Sequence, residues 1–101
     1  MARIRTPPGE ILREEFLTPL GISANALAIE LGVDATRMGQ ILHAKRAVTA
    51  DTALRLGRYF GTSAEFWLNL QSNYDLSIVA AEHGAEIERK VHPREIMEAA
   101  D

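Results

Sequence analysis

No cysteine occurs in the 101 residues, which excludes a disulfide scaffold, a thiol nucleophile and any zinc site built on thiolates. Long apolar runs are missing as well. No stretch approaches the roughly 18 uninterrupted apolar residues that span a bilayer, and the opening Met-Ala-Arg-Ile-Arg-Thr-Pro-Pro lacks the apolar core of a signal peptide. There is no glycine-rich phosphate loop, no Ser-His-Asp arrangement and no paired-carboxylate arrangement. His43, His83 and His92 lack metal-ligand spacing with one another. These absences lead us to expect a cytoplasmic protein in a reducing compartment that is not an enzyme, with no catalytic residues, metal, cofactor or membrane partner.

With 47% apolar and 25% charged residues, the chain has the composition of one globular domain over residues 1–101. A domain this small buries only about two-thirds of its unfolded surface, so a second copy is a natural source of further stability. The formal net charge of −3 conceals a segregated pattern. Residues 1–6 carry Arg3 and Arg5, and residues 7–31 set Arg13 against four glutamates. Residues 34–58 set Arg37, Lys45, Arg46, Arg55 and Arg58 against Asp34 and Asp51, and residues 59–101 are strongly acidic. A basic middle can meet phosphates while an acidic remainder faces elsewhere.

Five helices separated by glycines account for most of the chain. Thr6-Pro7-Pro8 followed by Glu10 opens the first, with Ile11, Leu12, Phe16 and Leu20 at helical spacing; it is expected to end at Leu17 or Thr18, before Pro19 and Gly21. Ser23 caps a second helix with Ala24, Leu27, Ala28 and Leu31 inward, stopped by Gly32. Asp34 caps a third that carries Met38, Ile41 and Leu42 inward. Thr49 or Asp51 opens a fourth, whose apolar residues are Ala53, Leu54, Leu56, Tyr59 and Phe60, ending at Gly61. Thr62-Ser63-Ala64-Glu65 fits a capping box with the threonine as cap. The fifth helix is expected to reach about His83, with its Phe66-Trp67-Leu68 cluster read as core. A C-terminal extension follows over about 84–101. In it Ala85–Val91 fits a helix or a strand, Pro93 breaks either, and Arg94–Ala100 is a short helix or a frayed tail.

Two short helices joined by Gly32-Val33-Asp34 form a helix-turn-helix unit over about 23–43. The positions that must pack the two helices together are Leu27, Leu31, Val33, Met38 and Ile41, all apolar. Ala28 is small where the second helix crosses, and Gly32 suits a left-handed turn. The outward positions of the second helix of the pair then become candidate base readers: Ala35, Thr36, Arg37, Gln40 and His43. Gln40 can bond an adenine edge twice, Thr36 and Ala35 suit a thymine methyl, and Arg37 can reach guanine or a phosphate. Ser23, Asn25, Lys45 and Arg46 are candidate phosphate contacts.

The chain resembles the HigA-type antitoxins, a branch of the lambda-repressor-like helix-turn-helix proteins. The residues that carry the resemblance are Pro8-Gly9-Glu10-Ile11-Leu12-Arg13-Glu14-Glu15-Phe16, Pro19-Leu20-Gly21, Leu27-Ala28 and Leu31-Gly32-Val33. In the second half they are Thr49 through Leu56, Phe60-Gly61-Thr62-Ser63, Glu65 through Gln71, and Tyr74-Asp75-Leu76. The resemblance covers about residues 8–76. It implies an all-α, five-helix lambda-repressor-like domain with a short C-terminal extension, acting as a homodimer. It also implies that the dimer binds double-stranded operator DNA to repress its own operon, and that it neutralises a HigB-type, mRNA-cleaving toxin. One departure stands out: His43-Ala44-Lys45-Arg46 replaces the family's usual asparagine-glycine-lysine-arginine turn, so a slightly different loop backbone is expected there.

Two other functions fit the helix-turn-helix alone: a stand-alone dimeric repressor without a toxin partner, and a module used only for protein contacts. One recognition helix covers a few base pairs, so two copies about 34 Å apart are needed to read a palindrome. The fifth helix and the tail are the expected dimer interface because the helix-turn-helix face must stay free. The acidic residues of 59–101 suit a basic, RNA-binding toxin, although acidic surface helices also simply aid solubility.

Overall fold

The computed structural model describes residues 3–95, and among them every regular element is helical. The first helix, α1, covers residues 8–20. It begins as Pro8–Ile11, widens into a π turn over Leu12–Leu17 and finishes as Thr18–Leu20. The rest are α2 (Ala24–Leu31), α3 (Ala35–Leu42), α4 (Ala50–Phe60) and α5 (Ala64–Lys90).

α1 does not stop before Pro19 as expected. A proline inside an α-helix clashes with the carbonyl four residues back. Here the ladder has already relaxed, since the Thr18 N–H donates to the Arg13 carbonyl five residues back. The helix runs on to Leu20 and is closed by Gly21, whose φ of 67° only glycine adopts without strain.

The caps largely follow the sequence. Ser23, Asp34 and Thr49 accept from the N–H groups of Ala26, Arg37 and Thr52. α5 differs by one residue: Ser63 accepts from the Phe66 N–H at 3.0 Å, while Thr62 accepts from the indole Nε1 of Trp67 at 2.7 Å. Trp67 is fully buried, and its N–H would lose a partner if Thr62 capped the helix instead.

One core binds all five helices. Leu12 and Leu17 of α1, Leu27, Ala28 and Leu31 of α2, Met38, Ile41 and Leu42 of α3, and Ala53 and Leu56 of α4 surround Trp67 of α5. Phe16, Phe60 and Trp67 stack with centroids 4.8 to 6.4 Å apart. Of the aromatic cluster expected in the core, Trp67 lies at the centre and Leu68 packs against it. Phe66 sits at the edge, 37% exposed, with its ring against Trp67.

α5 passes through Gly84 without a break and continues to Lys90, beyond the expected stop near His83, so Ala85–Val91 is helical up to its last residue. With 27 residues the helix is about 40 Å long at 1.5 Å per residue. Arg89 and Lys90 in its last turn complement the C-terminal end of the helix dipole. Residues 91–95 carry no regular structure, and the remainder of the expected Arg94–Ala100 segment lies outside the described residues.

Candidate DNA-binding site

α2 and α3 meet through the residues expected at that contact. Leu27, Ala28, Leu31, Met38 and Ile41 are all buried and Val33 is half-buried. Gly32 takes φ 72°, and the Val33 N–H donates to the Ala28 carbonyl at 3.0 Å, closing α2. The outer face of α3 is left clear. Ala35, Thr36 and His43 are exposed and Gln40 is half-exposed, with Lys45 and Arg46 exposed just beyond the helix. Thr36, Gly39, Gln40, His43 and Lys45 line one shallow depression on that face.

Two of these side chains are held in defined states. The Gln40 Oε1 accepts from the Arg46 Nε at 2.9 Å. This fixes which end of the amide is oxygen and leaves one lone pair and both N–H donors free for an adenine edge. The His43 Nδ1 lies 2.8 Å from the Gly39 carbonyl, a contact that requires Nδ1 to carry hydrogen. In the neutral ring, Nε2 then faces outward as an acceptor.

Arg37, expected at guanine or phosphate, is directed elsewhere. Its Nη2 donates to Asp51 Oδ2 at 2.8 Å and to the buried Thr52 Oγ1 at 2.6 Å, both in the first turn of α4. Arg55 joins the same carboxylate through Nε at 3.0 Å and donates through Nη1 to the Leu31 carbonyl at 2.7 Å. α2, α3 and α4 are thereby tied through one carboxylate. Ser23 is exposed and occupied as the α2 cap through its acceptor, with its hydroxyl hydrogen still available, and Asn25 is exposed beside it.

The paired arginines hold the Asp51 carboxyl below its ordinary value of 3.8, the Arg37 hydrogen bond first and that of Arg55 second. A depressed carboxylate stabilises the fold above its unfolded value, and that contribution disappears as pH falls through the lower folded value. Thermal unfolding of Asp51→Asn and the parent is expected to differ by a constant amount from about pH 7 to 5 and to converge below about pH 4.

Three further supports of α3 have no counterpart in the sequence patterns. The Arg13 Nη1 donates to the Leu42 carbonyl at 2.9 Å, satisfying the end of α3 from α1. The Gln71 Oε1 accepts from the Val48 N–H at 2.7 Å, holding the loop after α3 onto α5. Gly9 lets α1 approach until a Cβ there would overlap the Ile41 carbonyl oxygen. The signals available were a glycine inside a helix's first turn and polar side chains on otherwise apolar faces.

The loop itself keeps a glycine turn without a glycine. Ala44 has φ 59°, and the Ala44 and Lys45 N–H groups donate to Ile41 and Gln40, the paired bonds of a Schellman ending. The surrounding hydrogen bonds hold alanine in the left-handed region that glycine adopts more readily. Ala44→Gly is expected to stabilise the protein by about 1 kcal/mol. That is a rise of about 4–8 °C in Tm by differential scanning calorimetry.

Two capped helices packed across a glycine turn, with a polar second helix facing outward and cations at its exit, define a helix-turn-helix protein of the lambda-repressor-like class. No family model matches the chain. Over 71 residues it is 58% identical to virulence-associated protein I of Dichelobacter nodosus, spanning 70% of this chain and 66% of that one. The antitoxin HigA of Pseudomonas aeruginosa, solved with the higBA promoter, is 49% identical with a TM-score of 0.86, over 89% of this chain and 98% of that one. The antitoxin GraA in complex with its operator gives a TM-score of 0.89 at 44% identity, over 95% and 97% of the two chains. The chain belongs to the HigA family of helix-turn-helix antitoxins.

Proposed function

We propose that this protein is the antitoxin of a type II toxin–antitoxin module, acting in the cytoplasm without catalytic activity of its own. As a homodimer it binds operator DNA to repress its own operon, and it neutralises a HigB-type toxin that cleaves mRNA. The observation that carries the DNA-binding half is the exposed α3 face, on which Gln40 and His43 are held with outward-facing hydrogen-bonding groups.

In this reading Ala35, Thr36, Gln40 and His43 meet base edges in the major groove, while Ser23, Asn25, Lys45 and Arg46 meet phosphates. Arg37 sets the angle of α3 through Asp51 and Thr52 instead of reading a base. A second copy pairs along α5, whose outer half exposes Leu76, Val79 and Ile87, with Val91 exposed just past its end; light scattering at micromolar concentration is expected to give the dimer mass. The acidic α5 side chains Glu82, Glu86 and Glu88 suit a toxin basic enough to hold RNA.

Co-expression with the product of the adjacent reading frame tests the toxin half. The expected result is rescue of growth from a toxic neighbour and co-purification of the two chains. A non-toxic neighbour that forms no complex would leave a stand-alone repressor.

A further inference from the structure

We propose that the N-terminal arm, residues 3–6, is a second DNA-backbone contact that grips the phosphates bordering the groove entered by α3. The proposal rests on the operator-binding reading above and adds Arg3 and Arg5 to the contacts assigned there.

The arm has no regular structure and its four residues are exposed, yet it is fixed in place. The Arg5 N–H donates to the Oγ of Ser77 at 2.9 Å, and that hydroxyl donates in turn to the Tyr74 carbonyl at 2.7 Å. Ser77 is itself 9% exposed, so the arm is pinned to α5 through a desolvated hydroxyl with both of its roles filled. A peptide needing no ordering on binding forfeits little conformational freedom when it meets its partner.

Its position follows from the same turn of α5. Tyr74 and Asp75 line one small cleft together with the loop Ala44–Ala47, Pro8 and Gly9. Gly9 abuts the Ile41–Leu42 backbone at the end of α3. Only Pro7 and Pro8 separate Thr6 from Gly9, three steps with a reach of at most about 10 Å, against a major groove about 12 Å wide. The root of the arm at Thr6 is therefore within about one groove width of Gly9, and Pro8 and Gly9 share their cleft with Lys45 and Arg46.

Charge points the same way. Among the described residues no salt bridge involves Arg3, Arg5, Lys45 or Arg46. The single carboxylate lining the intervening cleft, Asp75, accepts from the Gln71 Nε2 at 2.9 Å. Four cations without carboxylate partners, two of them on the pinned arm and two beside the cleft that Pro8 and Gly9 line, match a run of phosphates.

The test is a titration of the full chain, parent and Arg3→Ala/Arg5→Ala, against a duplex from upstream of its own gene and a scrambled duplex, at several salt concentrations. The arm lies outside the core, so circular dichroism is expected to be unchanged. The variant is expected to bind both duplexes more weakly by a similar factor and to keep its preference for the upstream sequence. Its slope of log affinity against log salt is expected to shrink by about 0.9 for each phosphate that the arm no longer neutralises. A parent that prefers its upstream duplex together with a variant of unchanged slope would overturn the arm contact alone. A parent that shows no preference would overturn the operator reading and the arm contact with it.

Discussion

Gly9→Ala is expected to lower the stability of the protein by about 3 kcal/mol, the upper end of what overpacking usually costs. The new methyl would overlap the Ile41 carbonyl oxygen and lie 2.9 Å from both the Ile41 carbonyl carbon and the Leu42 Cα. All three atoms are backbone, so no side chain can swing aside, and α1 must move off α3. That motion would also stretch the Arg13 bond to the Leu42 carbonyl, leaving the end of α3 less supported. At about 4–8 °C per kcal/mol for a domain of this size, Tm is expected to fall by about 12–24 °C by circular dichroism. A drop of only a few degrees would mean that the α1–α3 contact is looser than the backbone geometry indicates. Gly39, by contrast, faces open space on the outer side of α3, and its substitution carries no such clash.

Gln40→Ala is expected to remove most operator preference while leaving the fold and the affinity for unrelated DNA nearly intact. A bidentate amide–adenine pair contributes about 1–3 kcal/mol of discrimination. Two copies in a dimer give about 2–6 kcal/mol, a loss between about 30-fold and about 10⁴-fold. Arg46→Ala should behave differently, because Arg46 both supplies a cation and orients the Gln40 amide. It is expected to weaken binding to all duplexes and to lose part of the preference as well. Fluorescence anisotropy against upstream and scrambled duplexes separates the two variants; a Gln40→Ala protein with unchanged preference would remove Gln40 from the base-reading set.

The helix-turn-helix is readable in the sequence because its requirements are local. The apolar spacing of Leu27, Leu31, Met38 and Ile41, the glycine at 32 and the caps at Ser23 and Asp34 each act within a few residues. The helix ends that differ from expectation have equally specific causes. Pro19 reads as a stop because the π turn that admits it depends on hydrogen bonds formed five residues back. Gly84 reads as a stop although helices tolerate an isolated glycine for about 1 kcal/mol. The shift from Thr62 to Ser63 as cap follows from a tryptophan buried five residues later.

What orients α3 is largely illegible in the sequence. The partners of Arg37, Arg13 and Arg55 lie 14 to 29 residues away, with Arg55 also holding Asp51 four residues back. No period or propensity encodes which carbonyl or carboxylate a long cation will find. Arg37 sits at an outward position of α3 and reads as a base contact, and nothing in the sequence signals that α4 places Asp51 and Thr52 against it. The missing glycine at Ala44 is visible in the sequence, but its effect is not: Ile41 and Gln40 hold the turn, so Ala44 stays in the left-handed region and carries the strain.

Footprinting of the full chain on the DNA upstream of its own gene tests the assignment of α3 as the reading element most directly. The expected pattern is two protected half-sites about 10 base pairs apart centre to centre, or a multiple of that, related by a two-fold axis. Methylation of major-groove purines within each half-site should block binding. Protection that is absent, or that depends only on salt and not on sequence, would contradict the assignment and leave the exposed face of α3 without a DNA-reading role.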